Sequence, residues 1–198
     1  MKSRRIELVV IGASAGGVAA LLALLAPLPA GYAMPLVIVL HLLPRHESQL
    51  AAVLTHHLGR PVREPRDKES VQPGAVYVAS ADYHLLIEAD RSFSFSGDSP
   101  VSYSRPSIDV LMQSAADAYG PAVAGVLLTG ANMDGAEGMA AIRAAGGLTL
   151  VQRPDEAEVD TMPRAAIARA TPDHVLSLKG MRRLLLKLDG AATPETLR

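Results

Sequence analysis

An apolar run, IELVVIG, ends in the turn Gly12-Ala13-Ser14-Ala15-Gly16, and a helix-like run, VAALLALLAPL, follows it directly. A strand that breaks at glycine and re-forms as a helix is the opening of a βα unit. The same alternation of apolar run and helix-like segment recurs along most of the chain, which points to βαβ units around a mostly parallel sheet. The turn itself reads G-x-S-x-G. Small flanking residues let the backbone take a tight, partly left-handed path and lift the Ser14 hydroxyl above the sheet edge.

The first strand is expected over about Ile6–Ile11 and the first helix over Gly17–Leu25. Pro35 opens PLVIVLHL, β-branched, uniformly apolar and too short for a helix, as a strand buried on both faces should be. His46–Leu58 reads as a helix, and Val62–Lys68 as a short strand or loop. In the middle, Gly74–Ser80, Tyr83–Ala89 and Ser92–Ser96 are short, alternating and separated by turns. They predict an antiparallel hairpin or meander appended to the main sheet. Parallel alternation then resumes: a helix to about Tyr119 with Ser107 as N-cap, strand Val123–Leu128, helix Gly135–Ala145, and strand Leu148–Gln152. Helix Met162–Ala170, strand Val175–Leu178 and helix Met181–Leu188 complete the pattern, with a frayed tail beyond. No repeat or low-complexity linker interrupts it. The expectation is one domain over residues 1–198, ordered from about 6 to 188, with a three-layer, Rossmann-like, doubly wound α/β sheet.

Composition removes several function classes. The 198 residues include no cysteine, which excludes disulfides, thiol catalysis and Cys-ligated metals. A formal net charge of −1 argues against a nucleic-acid groove. Glu7 and the early glycine turn break the run after MKSRR too soon for a signal peptide, and Val18–Ala26 is too short to span a bilayer before Pro27. A cytoplasmic protein with no membrane insertion is expected.

Ser14, His41 and Asp134 each follow the carboxyl end of a predicted parallel strand. The ligand crevice of an open α/β sheet lies outside those ends, so the three side chains emerge along one edge. Nucleophilic acyl transfer asks for this set: a serine to attack, a histidine to take its proton, and a carboxylate to fix the imidazole. Singly, each has a duller explanation. A serine in such a turn is often a helix N-cap, a strand-ending histidine is often structural, and an aspartate in Asn-Met-Asp-Gly is usually a turn former or a cap for the next helix. The chain order Ser…His…Asp, with the nucleophile after the first strand, differs from that of the α/β-hydrolases. A dinucleotide site fits poorly, because Ser14 replaces the second glycine of G-x-G-x-x-G and no acidic residue ends the second strand. His46, His56, His57, His84 and His174 are scattered, so no metal and no cofactor is expected.

From about Ile6 to Leu188 the chain resembles the catalytic domain of the chemotaxis protein-glutamate methylesterases, the CheB family. The resemblance is carried by VVIGASAGG, VIVLHLLPRHESQLAAVL, VYVASADYHLLIE, SRPSIDVLMQSAADAYG, GVLLTGANMDGAEGM and MPRAAI. It implies hydrolysis of γ-glutamyl methyl esters on the cytoplasmic helical bundles of chemoreceptors, with release of methanol, and in some members deamidation of receptor glutamines. It makes Ser14 the nucleophile, His41 the base and acid, and Asp134 the orienting carboxylate. Ala15, Gly16, Ala131, Asn132, Met133 and Met162 then belong to the oxyanion hole and pocket, with backbone N–H groups as donors. Two departures stand out. Ala15 occupies the place of the family's usual threonine, and TGANMDG replaces TGMGxDG, so Ala131 stands for a methionine and Asn132 for a glycine. Family members commonly carry a receiver domain ahead of this first strand; without one of its own, the chain is expected to be a constitutive enzyme, one controlled in trans by a separate receiver protein, or one assigned to a different signalling pathway. The rival from another class is a catalytically weak module that binds a receptor or signalling partner, motivated by the changes at residues 15 and 131–133.

Overall fold

A computed structural model of the chain describes residues 5–41 and 49–189. Seven strands form one wholly parallel sheet: β1 (Leu8–Ala13), β2 (Leu36–Leu40), β3 (Val62–Arg63), β4 (Val76–Val78), β7 (Val123–Leu127), β8 (Leu148–Gln152) and β9 (His174–Leu176). Their order across the sheet is β3-β4-β2-β1-β7-β8-β9. The chain therefore builds outward from β1 in one direction, then returns to the other side of β1 at β7. That reversal is the switch point where an α/β sheet opens a crevice.

β1 alternates as a fully buried strand must. Val9, Ile11 and Ala13 pack into one core with Leu21 and Leu24 of α1 (Gly17–Leu25), Leu54 of α2 (Leu50–Leu58), and Met181 and Leu185 of α6 (Leu178–Leu188). Leu8 and Val10 pack into the other, against Ile108 and Leu111 of α3 (Ile108–Tyr119), Met139 and Ile142 of α4 (Ala136–Ala144), and Ala166 of α5 (Thr161–Ala170). The two cores are separated by the sheet, which gives the three expected layers. Among the described residues no helix is long and apolar enough to cross a membrane.

The middle of the chain corrects one expectation. Gly74–Ser80 does not join an antiparallel meander. Its central residues Val76–Val78 form β4, which pairs parallel with both β2 and β3 and buries Tyr77 completely. Only β5 (His84–Ile87) and β6 (Phe93–Ser96) make an antiparallel hairpin, and it forms a separate two-stranded sheet. The hairpin is held by side chains, Leu85, Ile87 and Phe93, in the core beneath α3. Boundaries also move slightly: β1 runs from Leu8, β9 spans His174–Leu176, and α6 starts at Leu178. The expected second helix is present from Leu50, while its first turns around His46 fall partly outside the described residues, as does the tail beyond residue 189.

Candidate active site

β1 pairs with β2 up to Ala13↔Leu40, so Ser14 and His41 are the next residues on neighbouring strands, and the His41 N–H donates to Ala13 O at 3.1 Å. Ser14 is fixed through its backbone: its N–H donates to Thr129 O at 3.0 Å, and its carbonyl accepts from Gly17 N at 2.7 Å. The glycines on the far side of the turn have separate reasons. Gly16 caps α1 with φ 74°, a left-handed conformation that an L side chain adopts at a cost. At Gly17 a Cβ would stand 2.4 Å from Leu40 Cδ1, so the helix reaches the sheet only because that atom is missing.

Asp134 lies beyond β7 and is fully buried. One carboxylate oxygen, Oδ2, accepts from Ile108 N and contacts His41 Nε2, both at 2.7 Å. The other, Oδ1, accepts from Ser107 Oγ at 2.8 Å and from Asp109 N at 3.0 Å. Asp134 thus occupies the N-terminus of α3, where free N–H groups and the helix dipole both favour an anion. Burial pushes its pKa up. Hydrogen bonds from His41, the backbone of Asp109 and Ile108, and Ser107 outweigh that effect and hold it below the usual carboxylate value. An ionised Asp134 can only accept, so the proton of neutral His41 sits on Nε2 and the lone pair on Nδ1. That lone pair is where a base must act. Among the described residues its hydrogen bond comes from Ser104 Oγ, at 3.3 Å, and Ser104 in turn accepts from Asn132 Nδ2 at 3.3 Å.

Behind the aspartate, Ser107 is the expected N-cap of α3, its Oγ accepting from Val110 N. His84 is buried alongside: its Nδ1 accepts from Ser107 N at 3.1 Å, which leaves Nε2 to donate to Ser99 O at 3.2 Å. Asp109, in the first turn of α3, accepts from Gly135 N at 2.8 Å and Gly138 N at 2.7 Å. Burial first, then the neighbouring charge of Asp134, pushes Asp109 up to about 6 from an ordinary 3.8. The folded state therefore holds a proton that the unfolded chain has released between those two values, and stability falls as pH rises through them. Asp109→Asn cannot ionise, so urea unfolding from about pH 4 to 7 is expected to show wild type losing stability relative to this variant between about pH 4 and 6. A constant difference across that range would count against the assignment.

The residues expected around the pocket divide. Ala15, Gly16, Ala131, Asn132 and Met133 surround the turn ends, and among the described residues their backbone N–H groups reach no internal acceptor. Asn132 Oδ1 accepts from Asp134 N at 3.2 Å, closing the turn on itself. Met133 is 68% exposed at the rim. Met162, by contrast, is fully buried beneath the loop: a Cβ at Gly130 would stand 2.5 Å from Met162 Cε. Its side chain packs against Gly130, in the loop that follows β7. Thr129 and Gln152 carry no motif in the sequence, yet both hold the loop behind Ser14. Thr129 Oγ1 contacts Ala15 O and Val159 O and accepts from Val159 N, while Gln152 Oε1 accepts from Thr129 N at 2.9 Å. Among the described residues no three His, Asp or Glu side chains converge as a metal site.

The description "CheB methylesterase" fits residues 9–185 as a family match. The chain belongs to the CheB methylesterase family. It is a hydrolase by that membership. It is 45% identical over 183 residues to a putative protein-glutamate methylesterase/protein-glutamine glutaminase of Leptospira interrogans, a match covering 92% of this chain and 95% of that one. A protein-glutamate methylesterase/protein-glutamine glutaminase 2 of Methanospirillum hungatei is 42% identical over 161 residues, covering 81% of this chain but 46% of that protein. Against the latter the chain thus spans about half the relative's length. The crystal structure of the Thermotoga maritima CheB methylesterase catalytic domain superposes with a TM-score of 0.87 at 31% identity, covering 92% of this chain and 98% of that one.

Proposed function

We propose that this CheB-family chain hydrolyses γ-glutamyl methyl esters on the cytoplasmic helical bundles of chemoreceptors, with Ser14 as nucleophile, His41 as base and acid, and Asp134 as orienting carboxylate. The observation that carries the assignment of roles is the 2.7 Å contact between His41 Nε2 and the buried Asp134 Oδ2, which leaves Nδ1 basic on the residue that follows β2, as Ser14 follows the neighbouring β1. Nδ1 removes the Ser14 Oγ proton as Oγ attacks the ester carbonyl carbon. The tetrahedral oxyanion is met by backbone N–H groups drawn from Ala15, Gly16 and the Ala131–Met133 turn. Collapse of that species breaks the C–O bond to the methoxy group, and His41 returns the proton so that methanol leaves. Water then attacks the Ser14 acyl ester, His41 takes its proton and passes it to Ser14 Oγ, and a receptor glutamate is released. The same steps on a glutamine release ammonia, in keeping with the double name carried by the relatives.

Methanol release from methylated chemoreceptor membranes tests the reading, with wild type expected to release it catalytically. A folded wild type that releases none would favour the partner-binding module. Ser104 Oγ is the hydroxyl bonded to His41 Nδ1, and a second variant separates it from the proposed nucleophile Ser14. The bond from Ser104 to His41 is long and partly exposed, worth roughly 0.5–1 kcal/mol. Ser104→Ala is therefore expected to leave kcat within about fivefold of wild type. A loss of several orders of magnitude would make Ser104 the nucleophile instead.

A further inference from the structure

Two buried aspartates cap each other's helices. Asp134 receives Ile108 N and Asp109 N at the start of α3, while Asp109 receives Gly135 N and Gly138 N at the start of α4. Asp109 thus gives its own N–H to Asp134 and takes the N–H of the residue that follows Asp134. The result is a closed ring through residues 109, 134 and 135. We propose that Asp109 is a positioning residue that fixes the Asp134 carboxylate for its contact with His41. This rests on the roles proposed above for Asp134 and His41.

Other features of the ring agree. Asp109 is only 5% exposed, and an acidic side chain is rarely that buried without partners. Burial and the neighbouring charge of Asp134 both push Asp109 up, so the two carboxyls do not ionise independently. Asp134 therefore ionises before Asp109 as pH rises, which is the order His41 needs. Without Asp109 the start of α4 loses both of its hydrogen bonds to a side chain, and the backbone around Asp134 keeps the Asn132 bond at 3.2 Å and the Ala136 N to Met133 O bond at 3.1 Å. A carboxylate displaced by a fraction of an ångström loses its bond to His41 first, since His41 alone among its partners belongs to another strand end.

The test compares three variants with wild type at a temperature where all are folded. Asp109→Ala removes the acceptor. Asp109→Asn keeps an oxygen for the α4 N–H groups without a charge. Ile142→Ala weakens α4 through its buried core face alone. The first readout is the far-downfield proton resonance of His41 Nε2–H, assigned by its absence in His41→Gln. The second is kcat against KM for methanol release. Asp109→Ala is expected to lose the resonance and to lower kcat about 10- to 100-fold with KM within twofold. Asp109→Asn is expected to keep the resonance and a kcat within about threefold, and Ile142→Ala to do likewise despite its lower melting temperature. If Asp109→Ala fails to fold, Asp109→Glu replaces it. The extra methylene has room in the adjoining cavity of about 410 Å³, but it moves the acceptor off the α4 start, so the same losses are expected. A retained resonance in Asp109→Ala or Asp109→Glu, or its loss in Ile142→Ala, overturns the proposal. The resonance needs no substrate. A wild type that releases no methanol but shows this pattern would therefore refute the esterase reading and leave the positioning role standing.

Discussion

Ser14→Ala is expected to abolish methanol release, with kcat falling by about 10⁴-fold or more and KM little changed. The size of the loss follows from what alanine removes and what it spares. It removes the only atom that forms the acyl bond in the proposed reaction, while the oxyanion donors and the substrate contacts remain. The fold is spared because the structural work at this position belongs to the backbone, through Thr129 O and Gly17 N, and the side chain is only half-buried. Its melting temperature should therefore match wild type, as surface changes away from special features usually do to within about 0.5 kcal/mol. Initial rates on methylated receptor membranes, with thermal melts run in parallel, check both halves. An unchanged rate would remove Ser14 from the mechanism. A large loss here beside a small one in Ser104→Ala would identify Ser14, and not Ser104, as the hydroxyl that reacts.

Much of this site was legible before the structure because it follows from local pattern. Ser14 and His41 sit at the ends of apolar runs, and runs of that kind, linked through helices, must lie parallel, which brings their ends to one edge. What escaped the sequence depends on distant partners. Gly74–Ser80 looks like a hairpin arm because it is short and turn-flanked, yet a strand of three residues does not encode its neighbour, and Val76–Val78 pairs with β2 instead. Asp134 reads as a cap for the helix that follows it. It caps α3, whose first residue lies 26 positions upstream, and Asp109 caps the helix that Asp134 precedes. An acidic residue in the first turn of an amphipathic helix is ordinary in sequence, so nothing distinguished Asp109 until the crossing of α3 and α4 brought it to Gly135. His84 was set aside as one of several scattered histidines for the same reason. Its meaning lies in the Ser107 N–H it accepts, a contact formed only once the hairpin packs under α3.

The second large effect is expected at Asp134, where the carboxylate proposed to orient His41 also holds the start of α3. Asp134→Asn puts an NH₂ group where one of two acceptors stood. At Oδ2 it would face the donors His41 Nε2–H and Ile108 N–H; at Oδ1 it would face Asp109 N–H and Ser107 Oγ, of which only the hydroxyl can rotate to accept. Either choice leaves a buried N–H aimed at another donor, costing about 1–3 kcal/mol. The least damaging arrangement lets His41 change tautomer, so that Nε2 accepts and Nδ1 carries the proton. That imidazole can no longer act as base toward Ser14, and kcat is expected to fall by about 10⁴-fold, as for a triad held in the wrong tautomer. Asp134→Ala should be less stable still, because it strands every one of these donors. The linkage has a definite sign. Asp134 is held below its ordinary 3.8 in the folded state, so its stabilising contribution is complete above that value and is lost as pH falls through the lowered one. Urea unfolding of wild type and Asp134→Asn should therefore differ by a constant amount above about pH 6, where Asp109 has finished titrating, and converge in acid once Asp134 itself takes up a proton. Curves that stay parallel into stronger acid would mean that the charge on Asp134 is not what holds the start of α3.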